Sequence, residues 1–192
     1  MSRRGKVTSG DQVDDRELIA RYLEDDDAAA FSQLYERYRK QLYAYLNRLL
    51  SGQQAVADDL FQQSWIRVVR QLPRYRHREK FLAWLMRIAH NLAMDHYRRH
   101  RHESSQEDFD NREWFSPGGD EPWRNLDRAE LGRVLDGCIG KLPPEQREVF
   151  LLRQEEVAFR EIAGIQDCSI NTALGRMQYA LRNLQRCLAG WQ

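Results

Sequence analysis

Apolar residues recur at steps of three and four along most of this chain, the period of one face of an α-helix. Leu18, Ile19, Tyr22 and Leu23 form a short first stripe. Phe31, Leu34, Tyr35, Tyr38, Leu42, Tyr45, Leu46, Leu49 and Leu50 carry a second, longer one, which Ser51-Gly52 ends. Leu60, Phe61, Trp65, Val68, Val69 and Leu72 make a third, stopped by Pro73, which lacks the backbone donor a helix needs. Phe81, Trp84, Leu85, Ile88, Ala89 and Leu92 begin a fourth, which runs into the polar tail His96-Tyr-Arg-Arg-His-Arg-His102. No segment alternates with period two for long enough to be a strand.

Residues 103–125 break the pattern. Glu103-Ser-Ser-Gln-Glu-Asp-Phe-Asp-Asn111 and Ser116-Pro-Gly-Gly-Asp-Glu-Pro122 are acidic and rich in turn formers. They read as a flexible linker, with Trp114, Phe115 and Trp123 as docking points rather than core. Beyond it the pattern predicts a helix over 126–139 and a turn at Gly140-Lys-Leu-Pro-Pro144, with Pro144 at the first helical position. A helix carrying Val149, Phe150 and Leu152 follows, then a short helix over 159–165 and a long one over 170–188. The last helix is expected to bury Ile170, Ala173, Met177, Leu181 and Leu184. The expectation is an all-α chain of two small helical domains joined by the acidic linker, the second containing a helix-turn-helix. Its divisions are a basic tail over 1–13, a domain over 14–102, the linker over 103–125 and a domain over 126–192.

Charge changes the picture only when divided by segment. The 192 residues hold 30 Lys+Arg and 29 Asp+Glu, a net charge of +1 that argues against a nucleic-acid binder. Yet residues 66–102 hold ten bases and two acids, net +8, together with all five histidines. Residues 11–65 are net −5 and residues 103–130 net −6. The basic block is the footprint of a polyanionic partner; the bland alternative is a solvated helix face with a basic loop. No apolar run approaches the roughly 18 residues of a membrane span, and no secretory signal stands at the start. Three widely spaced cysteines, Cys138, Cys168 and Cys187, argue against a disulfide framework and a zinc site. A cytoplasmic setting is expected, with Cys138 and Cys168 as small buried residues.

Three segments carry candidate chemistry. Ser169 is a good N-cap for the long final helix, whose outer face shows Asn171, Thr172, Gly175, Arg176, Gln178, Tyr179 and Arg182. Such side chains at the start of the second helix of a helix-turn-helix suit base edges and phosphates; an ordinary helical hairpin is the alternative. Tyr75-Arg-His-Arg-Glu-Lys-Phe81 leads into a helix with Trp84, His90, Asn91, Asp95, Arg98 and Arg99. Aromatics among bases suit single-stranded nucleic acid, since rings stack on bases while cations follow phosphates. At least two of Phe81, Trp84 and Leu85 read as core. The histidines lack a consistent ligand spacing. Asp58, Asp59, Gln62 and Gln63 form a polar strip beside Trp65 that suits a basic protein surface, or else merely a solvated face. No catalytic triad, phosphate loop or paired-carboxylate motif stands out.

Taken together, these segments resemble a bacterial sigma factor of the extracytoplasmic-function (ECF) type. Three motifs carry the resemblance: Asp58-Asp-Leu-Phe-Gln-Gln-Ser-Trp-Ile-Arg67, Phe81-Leu-Ala-Trp-Leu-Met-Arg-Ile-Ala-His-Asn-Leu-Ala-Met-Asp95, and Leu142-Pro-Pro-Glu-Gln-Arg147 with Glu161-Ile-Ala163 and Asn171-Thr-Ala-Leu-Gly-Arg176. The resemblance implies a promoter-specificity subunit without catalytic chemistry, cofactor or metal. It implies core RNA polymerase contacts at Asp58, Asp59, Gln62, Gln63 and Trp65. It implies −10 DNA contacts at Arg76, His77, Arg78, Lys80, Asn91, Asp95, Arg98 and Arg99, with a base held at the 76–80 loop. It implies −35 contacts at Ser169, Asn171, Thr172, Gly175, Arg176, Gln178 and Tyr179. Many relatives are held by an anti-sigma factor. The recognition helix departs from the family pattern, with Leu174 in place of a usual base and Gly175 in place of a usual Ser.

Two other classes remain in view. A free-standing helix-turn-helix regulator with an N-terminal sensor domain would bind a palindrome without polymerase. A nuclease using Asp95 with His90 and His96 would cleave with metal.

Overall fold

A computed structural model describes residues 13–77, 80–101 and 128–190. Among these residues every element is helical: α1 (Asp15–Glu24), α2 (Ala28–Leu49), α3 (Gln54–Gln71), a 3₁₀ turn (Leu72–Arg74), α4 (Phe81–Arg101), α5 (Arg128–Gly140), α6 (Pro144–Gln154), α7 (Phe159–Ile165) and α8 (Ile170–Ala189). The expected linker, the basic tail before residue 13, and Arg78 lie outside the described residues.

Local chemistry sets the corners. Asp26 takes a left-handed φ of 52° and turns the chain between α1 and α2. Asp27 then caps α2, accepting from the amides of Ala29 (2.9 Å) and Ala30 (3.1 Å). The guanidinium of Arg21 bonds the same carboxyl and, with the Ala30 amide, holds it below its ordinary range. Ser51 and Gly52, with φ of 48° and 86°, reverse the chain between α2 and α3.

Helices α1–α4 close around Leu34, Leu42, Leu46, Val68, Leu85 and Met86, all fully buried. Trp65 joins this core at 7% exposure, 4.9 Å from the Tyr35 ring and edge-on to Phe31 at 6.1 Å. Trp65, expected to contact polymerase, turns its indole inward, where its area removes more apolar surface from water. Phe81 and Leu85 are buried and Trp84 is half-buried.

Helices α5–α8 form the second domain. Cys138 on α5 and Cys187 on α8 are joined in a disulfide, with Cα atoms 5.8 Å apart. This overturns the expectation of three separate thiols; packing of α5 on α8 aligns residues 49 apart in sequence, a proximity that spacing along the chain does not encode. Cys168 is free and half-buried. Helix α8 buries Ala173, Ala180 and Leu184, whereas Ile170 and Leu181 are 46% and 44% exposed. The expected burial of those two is thus corrected. Small alanines let α8 lie close to its neighbours, so the contact stripe is narrow and its flank stays in water.

The two domains pack together, α5 and α6 against α2, and α7 against α4. Adjacent residues of α6 hold this seam. Arg147 donates to the Leu49 carbonyl (3.0 Å) and to Ser51 Oγ across it, and to the carbonyls of Ile139 (3.2 Å), Gly140 (2.6 Å) and Leu142 (3.0 Å) on its own side. Glu148 accepts from the Tyr45 hydroxyl (2.7 Å) and Gln166 Nε2 (2.9 Å), and its Oε1 lies 2.6 Å from His90 Nδ1. Both charges are buried, and each is supplied with partners, as burial of an ion demands.

Candidate functional site

Three surfaces emerge from this frame. The first is the outer face of α3. Asp59 and Gln62 are exposed, and Gln63 donates to Asp59 at 2.8 Å. Asp58 is half-buried and receives the Tyr43 hydroxyl at 2.8 Å. With Trp65 turned inward, the apolar part of the face is Ile66, 50% exposed, and Val69, 39% exposed. Val69 thus leaves the inward stripe in which its spacing places it. Asp59, Gln62, Ile66 and Val69 follow steps of three and four, so the same periodicity contains this strip, masked by the richer inward stripe.

The second surface is the start of α4 and the loop before it. Pro73 and the 3₁₀ turn bring Tyr75 back over α4, its ring 4.6 Å from Trp84, 4.7 Å from His77 and 5.8 Å from Phe81. A shallow pocket of about 280 Å³ opens among Gln71, Arg74, Tyr75 and Trp84. Rings beside a cation and an amide offer an unstacked base a face to stack on and an edge to bond. Arg76 and Lys80 are exposed beside it and His77 is half-buried. Along α4, Asn91 and Arg99 are exposed, and Arg98 donates to half-buried Asp95 at 2.8 Å. These residues share one face of the helix with the basic end of α4. Tyr75, Arg74 and Gln71 are not among the expected contacts; only the fold of the 3₁₀ turn brings them to Trp84.

His90 points the other way, to Glu148, so it does not join Asp95 and His96 in a reactive cluster. Among the described residues no three His, Cys, Asp or Glu side chains are grouped to hold a metal.

The third surface is the N-terminal half of α8. Ser169 Oγ accepts from the Thr172 amide at 3.0 Å, capping the helix. Asn171, Thr172, Gln178 and Tyr179 are exposed and Gly175 is half-buried on the same side. Arg182 lies 5.6 Å over the Tyr179 ring. Arg176 is half-buried and donates to Gln166 Oε1 at 2.9 Å, so its guanidinium is partly spent within the domain. Leu174 adds an exposed apolar side chain to the flank. No helix among the described residues is long and apolar enough to cross a membrane.

A helical pair of domains, one presenting an open helix-turn-helix and the other a basic loop with aromatic rings, defines a DNA-binding transcription protein. Comparison with known proteins agrees and is more specific. Residues 34–103 match the Sigma-70 region 2 family and residues 132–184 the Sigma-70 region 4 family. The chain is 30% identical over 176 residues to the ECF RNA polymerase sigma-E factor of Escherichia coli (strain K12), covering 87% of this chain and 90% of that protein. It is 31% identical over 163 residues to the RNA polymerase sigma factor CarQ of Myxococcus xanthus, covering 83% and 89%. Among solved structures it is similar to CnrH in complex with the cytosolic domain of CnrY, with a TM-score of 0.64 and 26% identity over 91% of this chain and 96% of that one. Its fold also matches the sigma factor RpoE in complex with the anti-sigma factor NepR from Bartonella quintana, with a TM-score of 0.65 and 21% identity over 84% and 98%. The chain belongs to the ECF-type sigma factors, the promoter-recognition subunits of bacterial RNA polymerase. A free-standing regulator with a sensor domain does not account for the region 2 match.

Proposed function

We propose that each of the three surfaces serves one step of promoter recognition. The exposed face of α3, with Asp59, Gln62, Ile66 and Val69 at its centre, docks on core RNA polymerase. The loop around Arg76 and Lys80 captures a base from the −10 element, with Tyr75 and Trp84 as its stacking surface. Asn91, Asp95, Arg98 and Arg99 follow the adjacent strand. Ser169, Asn171, Thr172, Gly175, Gln178 and Tyr179 read the −35 element in the major groove. The protein acts in the cytoplasm, contributes binding rather than a chemical step, and is restrained by an anti-sigma factor, as two of the structural relatives are bound to partners of that kind or to a cytosolic domain.

The observation that carries this reading is the pairing, on one chain, of an open α8 face with a basic loop backed by aromatic rings. Duplex reading needs geometry and few charges, whereas capture of a melted strand needs cations and flat rings. Reconstitution with core polymerase on sheared genomic DNA, followed by sequencing of transcript 5′ ends, tests it. Shared −10 and −35 sequences upstream of the transcripts are expected. Starts with no common upstream element would refute it.

A further inference from the structure

Helix α8 carries a gap in its outward face. Asn171, Gly175, Gln178 and Arg182 follow one another at steps of four, three and four, opposite the buried Ala173, Ala180 and Leu184. Gly175 therefore stands on the midline of that face. Glycine inside a helix is less stable than alanine, because it loses more backbone freedom on folding. Nothing within the chain asks for one here: its φ is not positive, and a Cβ would meet no atom within 4 Å. Gly132 and Gly137 on α5 are as open, so openness alone decides nothing. What sets Gly175 apart is its surroundings. Its neighbours on the helix surface are Asn171 and Thr172 one turn before, and Gln178 and Tyr179 one turn after, all exposed. The Thr172 hydroxyl is held by Ser169 Oγ at 2.8 Å, which leaves its methyl as the group free to meet a ligand. The Tyr179 ring is fixed on its other side by Arg182, 5.6 Å from the centroid. The missing side chain thus leaves a notch floored by helix backbone, with a methyl and a ring on one flank and two amides on the other.

We infer that this notch seats the 5-methyl group of a thymine in the −35 element, and that Gly175 determines which sequence α8 reads. In the major groove thymine alone among the bases presents a methyl, beside its O4 acceptor. A Cβ at position 175 would occupy the space that methyl needs. The amides of Asn171 and Gln178 suit the N6 and N7 of adenine, whereas guanine calls for a free guanidinium. The single arginine between Ile170 and Gln178 is Arg176, which is half-buried and donates to Gln166 Oε1 at 2.9 Å. The base pairs before this face are therefore A·T, with a thymine methyl at Gly175. The inference rests on the proposed reading of the −35 element by α8.

The test uses polymerase holoenzyme reconstituted with the full chain, and a duplex promoter taken from the transcript map. Each thymine of the −35 element, on either strand, is replaced in turn by deoxyuridine, which removes the methyl and keeps the base pair. One replacement is expected to weaken binding about fourfold, the contribution of one buried methyl. Gly175→Ala should weaken binding to the thymine promoter about tenfold and no longer distinguish deoxyuridine from thymine at that position. The same variant should raise the urea midpoint of the free chain, because alanine is the better helix former and its Cβ is unopposed. A gain in stability with a loss in binding is what DNA reading predicts and a structural role does not. The inference is overturned if no thymine methyl matters, if Gly175→Ala binds as well as the native chain, or if the deoxyuridine loss survives in Gly175→Ala. It is overturned too if midpoint and binding fall together, since Gly175 would then serve the fold. The role of α8 is read separately: scrambling the −35 element must weaken binding of the native holoenzyme. If it does and the deoxyuridine series is flat, the notch alone is wrong; if it does not, the reading of α8 is wrong and the inference falls with it.

Discussion

Glu148 on α6 and His90 on α4 meet at 2.6 Å across the seam between the two domains. The same carboxylate takes the Tyr45 hydroxyl from α2 and Gln166 from the turn before α8, and Gln166 in turn receives Arg176 of the recognition helix. One buried charge thus links two helices of the first domain to α8 of the second.

Burial on its own would raise the carboxyl of Glu148. The bond and charge of His90, with the bonds of Tyr45 and Gln166, outweigh it and hold the group below its ordinary value of 4.5. A depressed carboxyl contributes stability above that value, and the contribution is lost as pH falls through the folded-state value. Native protein should therefore lose stability as pH drops below about 4.5, measured by urea unfolding across pH. Glu148→Gln should lower stability by about 2 kcal/mol at pH 7 and flatten that acid limb.

The disulfide closes a loop between positions 49 apart, for which chain-entropy arguments give about 4 kcal/mol. Dithiothreitol, or Cys138→Ser with Cys187→Ser, should lower the unfolding midpoint by a corresponding amount. Cys168→Ser should leave the response to reductant as it was, because Cys168 stands outside the bond.

On α3 the inward and outward apolar residues should separate by measurement. Trp65→Ala should cost about 3–5 kcal/mol in thermal or urea unfolding, since it empties a packed site. Ile66→Ala with Val69→Ala should change stability little and weaken binding to core polymerase, read by competition with the native chain.

In the recognition helix, Leu174→Arg should add one phosphate contact. Binding of polymerase holoenzyme to duplex promoter DNA should tighten, and its log–log salt slope should steepen by about one. Thr172→Ala should instead weaken binding to one promoter sequence more than to others.

Helix positions, the all-α class and the helix-turn-helix are legible in the sequence because each rests on local rules of period, cap and breaker. Ser169 as N-cap of α8 is one instance, visible as a Ser before an apolar run and present as a bond to the Thr172 amide. What is not legible depends on which neighbour covers a helix face. Spacing puts Trp65 rather than Ile66 on the inward stripe, but it does not say which rings receive the indole; Phe31 and Tyr35 on another helix do. The same holds for Ile170 and Leu181, left exposed because alanines make the contact. Arg147 and Glu148 look in the sequence like an ordinary helical stretch, since their partners Leu49, Tyr45 and His90 lie 58 to 103 positions away.

The Cys138–Cys187 bond also alters what a cut in the chain would do. The turn between α7 and α8 contains exposed Asp167 at a left-handed φ of 48°, and it lies between the two bonded positions. Cleavage after Asp167 would split the polypeptide before the whole recognition helix. In oxidised protein the two fragments would still migrate as one species on a denaturing gel, and only reductant would release the C-terminal piece. The oxidised domain is thus a ring with respect to α8, and a nick in the turn before it would not set that helix free.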